Sequence, residues 1–70
     1  MHQRRRTFQI RVDGRSWAGE WWIADERIHV SSEYGVLSLP KDIRKAGVKV
    51  LAEMMLREIV TTWLEQNAEG

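Results

Sequence analysis

Apolar and polar residues alternate through the first half of the chain, and the spacing becomes helical in the second half. Phe8, Ile10 and Val12 alternate with Thr7, Gln9 and Arg11, which predicts a strand buried on one face. Asp13-Gly14 follows. This pair is a strong hairpin signal, because a type I′ turn needs positive φ at both central residues. A second strand is expected over about residues 15–24, a second turn at Asp25-Glu26, and a third loop at Ser32-Glu33-Tyr34-Gly35.

The three turns can be tested against one another. A two-residue turn at Asp13-Gly14 sets Val12 opposite Arg15, Ile10 opposite Trp17 and Phe8 opposite Gly19. Arg6 then faces Trp21, and Arg5 faces Trp22. The second turn pairs Ile23 with Ile28 and Trp21 with Val30. The third pairs Val30 with Leu37 and Ile28 with Leu39. All three place Phe8, Ile10, Val12, Trp17, Trp21, Ile23, Ile28, Val30, Leu37 and Leu39 on one face. A slip of one residue at any turn would move that set to the opposite face, so the agreement supports a four-stranded meander. Phe8 opposite Gly19 also covers the gap that a strand glycine leaves. Pro40 ends the fourth strand.

Beyond Pro40, Val48, Ala52, Met55, Ile59 and Trp63 form one stripe at helical spacing. Leu51, Met54, Leu56, Val60 and Leu64 widen it beyond what one sheet face is expected to cover. Glu53, Arg57, Thr61 and Glu65 mark the solvated side. Asp42 is a candidate N-cap, and Gly47 weakens the first turns enough to move the regular start toward Val48. The expected fold is α+β in two layers, β-β-β-β-α: a four-stranded antiparallel meander over about 5–39 with one C-terminal helix over about 42–66 on one face. It forms a single domain spanning 1–70.

Size changes the picture next. A domain of 70 residues buries only roughly 60–65% of its unfolded surface and usually needs a staple. The chain has no cysteine, and its only histidines are His2 and His29. Disulfides are therefore excluded, and a structural zinc lacks its ligands. No cofactor is implied. Four tryptophans supply large apolar areas, and oligomerisation is the remaining staple. The broad helix face suggests a homodimer joined through Leu51, Met54, Leu56, Val60, Trp63 and Leu64. The ordinary alternative is that the same residues form this chain's own core.

The lack of cysteine fits a cytoplasmic protein, and no apolar run approaches the roughly 18 residues of a membrane span. Arg5-Arg6-Thr7-Phe8 faintly resembles a twin-arginine export signal. An apolar stretch should follow such a signal, and the alternating Gln9-Ile10-Arg11-Val12-Asp13 takes its place. Net charge is +1 and favours no partner by itself. Its distribution alternates: residues 1–15 are basic, 16–35 acidic, 36–50 basic and 51–70 acidic, a pattern suited to neighbouring surfaces that complement each other.

Three constellations carry possible chemistry. Trp22, Arg5 and His29 share the outer sheet face in the inferred register, and a tryptophan on a solvated face often marks a contact surface. The plain alternative is that Trp22 only covers part of the sheet. Arg4, Arg5, Arg6, Arg11 and Arg15, with Lys41, Arg44, Lys45 and Lys49, form a basic set able to meet phosphates. An aromatic ring beside arginine suits single-stranded nucleic acid. Glu20 interrupts this patch, and arginines on an edge strand equally serve to block edge-to-edge aggregation. Around His29 the inferred sheet brings only Ser31, Ser38 and Glu20, a trio without a cleft to exclude water or hold an oxyanion. An enzyme is not expected, nor is a small-molecule substrate.

The loop Val30-Ser31-Ser32-Glu33-Tyr34-Gly35, followed by a helix containing Leu56-Arg57-Glu58, resembles small hypothetical proteins of proteobacteria. These have a strand meander, a Val-Ser-Ser-x-Tyr-Gly-like loop and a Leu-Arg-Glu near the end of one helix. The likeness covers roughly residues 7–60, and the tryptophan-rich second strand departs from it. It implies a bacterial protein and supports the fold; no activity comes with it. The expectation from sequence is a non-catalytic protein–protein interaction or regulatory module, homodimeric, with Arg5, Arg11, Trp22 and His29 as candidate partner-binding residues. The alternative is nucleic-acid binding through the arginine-rich first strand.

Overall fold

A computed structural model describes residues 5–40 and 47–67. It contains one antiparallel sheet of four strands in sequence order, β1 (Arg6–Val12), β2 (Arg15–Ala24), β3 (Arg27–Ser32) and β4 (Gly35–Pro40), and one helix, α1 (Val48–Asn67). The register matches the one that the turns impose: Ile10 faces Trp17, Phe8 faces Gly19, Trp21 faces Val30 and Ile28 faces Leu39.

Each turn has its own chemistry. Asp13 and Gly14 have φ of 56° and 76°, both in the left-handed region that a type I′ hairpin requires. Asp25 and Glu26 have φ of 55° and 58°, the same geometry without a glycine. The third turn holds no non-glycine residue at positive φ. Ser32 stands at its first position and Gly35 at its fourth, as type I turns favour. The Tyr34 backbone N–H donates to Ser32 Oγ at 3.1 Å, and that hydroxyl donates to Gly35 O at 3.3 Å.

The helix starts at Val48. Gly47 occupies the N-cap position, where its carbonyl accepts from Leu51 N–H at 3.1 Å. Asp42 lies outside the described residues, as do Arg4, Lys41, Arg44 and Lys45 of the basic set. Ala52, Met55, Leu56, Ile59 and Val60 are buried against Ile10, Trp17, Ile28 and Val30 of the sheet. Phe8, Val12, Trp21, Ile23 and Leu37 pack around this core. Leu39, expected on the same face, is 37% exposed.

Gly19 brings the two layers close. A Cβ there would stand 3.2 Å from both Leu56 δ-carbons and 3.2 Å from Ser31 O. At the turn 1 and turn 3 end, Trp17, Tyr34 and Trp63 meet edge to face, with centroid separations of 4.9, 5.2 and 5.9 Å, a favoured aromatic geometry. Trp17 Nε1 donates to Val12 O at 3.2 Å, so the half of its ring that is polar is satisfied.

Candidate functional site

The outer sheet face is assembled by strand alternation. Residues 7, 9 and 11 of β1, 16–24 in steps of two on β2, 27–31 likewise on β3, and 36–40 likewise on β4 point away from α1. Arg5 precedes β1 on the same side. Side chains aligned across neighbouring strands stand about 4.5–5.5 Å apart, so Arg5, Trp22 and His29 form one row.

That row is a stacked sandwich. The Arg5 guanidinium lies 4.1 Å from the Trp22 ring centroid. The His29 ring lies 5.3 Å from Trp22 with an interplanar angle of 11°. Arg5 comes from the β1 side of β2 and His29 from the β3 side, so the two cover opposite faces of the indole. Arg5 also pairs with Glu20 at 3.5 Å, their side chains 57% and 43% exposed. The His29 ring reaches Ala24 O through Nε2 at 3.3 Å, a bond formed when that nitrogen carries the proton. Trp22 and His29 are both half-buried, while Arg5 is exposed.

Beside the row lies a shallow depression of about 370 Å³, bordered by Thr7, Ala18, Glu20, Ser31 and Glu33. Small side chains at Ala18 and Ser31 lower the surface there, while Trp22 and its partners stand above it. The fourth strand adds Val36, 68% exposed on the outer face. Sequence reasoning missed Val36; the register places it opposite Ser31, and alternation from Leu37 identifies its face.

Arg11 lies apart from the row. It is exposed and donates through Nη2 to Gly14 O at 3.1 Å, bracing the first turn. On β3 and β4, the Arg27 guanidinium donates to Ser38 Oγ at 3.0 Å and Ser38 O at 3.3 Å. Ser38 is thereby engaged away from His29. Among the described residues no group of three or more acidic, histidine or cysteine side chains is placed to hold a metal ion.

Part of the helix face set down for a dimer lies in this chain's own core. Leu56 and Val60 are fully buried in this chain's own core. Leu51, Trp63 and Leu64 are half-buried and pack against it. Of the six residues set down for a helix-joined dimer, only Met54 is exposed, at 59%, next to Val50 at 49%.

No family model matches the chain, and neither a curated protein nor a solved structure matches it.

Proposed function

We propose that this protein is a non-catalytic protein-interaction module whose outer sheet face, centred on Trp22, is the contact surface. The observation that carries this reading is the Arg5–Trp22–His29 sandwich standing beside a shallow depression. A half-buried indole held between two flat cationic or aromatic groups offers a rigid, preorganised anchor, and aromatic and arginine side chains dominate protein contact energetics. Self-association belongs to the same reading. The surfaces offered to a second copy are this face and the sheet edges, since the exposed large apolar side chains of α1 are Val50 and Met54 alone.

The same geometry weakens the case for nucleic acid. Single-stranded bases stack on free ring faces, and both faces of Trp22 are taken. The Arg5 cation is shared with Glu20.

The test is affinity capture with wild type, Trp22→Ala and Arg11→Ala, eluted along a salt series, with light scattering of the free protein. The expected result is loss of the partner, or of the dimer, with Trp22→Ala, and retention at raised salt. Equal capture by Trp22→Ala overturns the reading. Capture of nucleic acid that is released by moderate salt overturns it in favour of phosphate binding.

A further inference from the structure

The two edges of the sheet are finished differently. Closing a two-residue turn hydrogen-bonds its flanking residues, and antiparallel ladders alternate from there. On β4, Gly35, Leu37 and Leu39 therefore bond to β3, and Val36, Ser38 and Pro40 aim their backbone groups outward. Pro40 has no N–H to offer. Ser38 O is occupied by the Arg27 guanidinium at 3.3 Å. This edge is blocked toward its Pro40 end, in the manner natural sheets use against unwanted pairing.

On β1 the alternation from Val12 opposite Arg15 turns Arg6, Phe8 and Ile10 toward β2 and sends the N–H and C=O groups of Thr7, Gln9 and Arg11 outward. The strand spans seven residues and contains neither proline nor a bulge. Along this edge lies a cleft of about 400 Å³ between the strand and the first turns of α1, lined among others by Arg6, Phe8, Trp21, Lys49 and Glu53. A strand added to β1 would direct every second side chain into that cleft.

Charge identifies the occupant. Arg5, Arg6, Arg11 and Lys49 flank the edge, while Glu20 is paired with Arg5 and Glu53 is the one acid among the described residues lining the cleft. A second copy adding its own β1 would bring two arginine-rich strands together. We infer that the β1 edge accepts an extended acidic peptide segment of a partner protein as a fifth strand. Its apolar residues enter the cleft over Phe8 and Trp21, and its carboxylates, on the opposite face of the added strand, lie against Arg11 and beside Arg5. Main-chain bonds supply affinity in this mode, and the cleft and charges supply specificity. The edge is distinct from the Trp22 surface, and the inference stands whether or not that surface binds.

The experiment uses a capped synthetic peptide of alternating valine and glutamate, titrated into the full chain. Amide hydrogen exchange is followed residue by residue. The expected result is binding with new protection at Thr7, Gln9 and Arg11, weakened several-fold by Arg11→Glu. Gln9→Pro removes an outward N–H without breaking a bond to β2, a placement proline tolerates on an edge strand. It should reduce affinity at least tenfold while an unchanged circular dichroism spectrum reports the fold. The inference is overturned if the peptide does not bind, if a valine–lysine peptide binds equally well, or if those three amides gain no protection. It is also overturned if the free protein is a dimer that Gln9→Pro dissolves, because the edge then belongs to a second copy.

Discussion

Gly19→Ala is the sharpest test of how closely α1 sits on the sheet. Gly19 is buried in the middle of β2, opposite Phe8 and beneath Leu56. The added methyl would meet both Leu56 δ-carbons and Ser31 O at 3.2 Å, a few tenths of an ångström inside ordinary contact. Leu56 has no exposed surface, so it can give way only by shifting its neighbours in the core. Ser31 O belongs to a paired strand and cannot shift without disturbing the β2–β3 ladder. Overpacking of this kind costs about 1–3 kcal/mol. Reduced freedom of the unfolded chain returns about 0.4–1 kcal/mol on a glycine-to-alanine change. The net expectation is a loss of about 1–2 kcal/mol, or a melting temperature lower by roughly 5–15 °C in a domain of this size. Thermal and urea denaturation followed by circular dichroism measure it. Leu56→Ala alone should cost about 2–5 kcal/mol, and less in the Gly19→Ala background, where the new methyl fills part of the space. A coupling of about 0.5 kcal/mol or more is therefore expected between the two. A neutral or stabilising Gly19→Ala with strictly additive effects would refute the close approach.

The second turn carries strain that can be relieved. Glu26 holds φ of 58° without being glycine, so Glu26→Gly should stabilise by about 0.5–1 kcal/mol in chemical denaturation; a loss of stability would refute the turn assignment. Arg27→Ala combined with Pro40→Thr removes both blocks from the β4 edge and should produce concentration-dependent association by light scattering. A double variant that keeps the wild-type mass at every concentration would show that those residues do not guard the edge.

The strand register was legible because three short turns each fixed it and agreed. Asp13-Gly14 announced its geometry, and the Ser32 and Gly35 positions suit a type I turn as soon as the loop is taken as four residues. Trp22 was legible for the same reason: register alone placed it beside Arg5 and His29. The extent of α1's contact was not legible. Periodicity marks which helix residues are apolar, but how wide a stripe a sheet covers depends on its twist and on how close the layers come. Gly19 sets that distance, and Leu56 and Val60 disappear into the core as a result. Leu39 erred in the opposite sense. Its face was right, but it lies near the end of β4 where the core packing stops. The unequal edges were hidden because the role of Arg27 depends on a side chain reaching across β4, which spacing does not encode.

The distribution of the indoles has an optical consequence. Trp17 and Trp63 lie 5.9 Å apart at 63° in the cluster with Tyr34, close enough for their excited states to couple. Trp22 stands on the opposite face of the sheet, stacked against an imidazole and a guanidinium, groups that influence indole emission. Trp21, on the inner face under the Arg6 guanidinium, is a third environment, so the molecule carries three distinct sets of indoles. The exciton signal of the cluster follows whether helix and sheet are docked, and the emission of Trp22 follows what touches the outer face. Comparing the emission of the wild type with that of Trp22→Phe separates the outer-face contribution from that of the other three indoles.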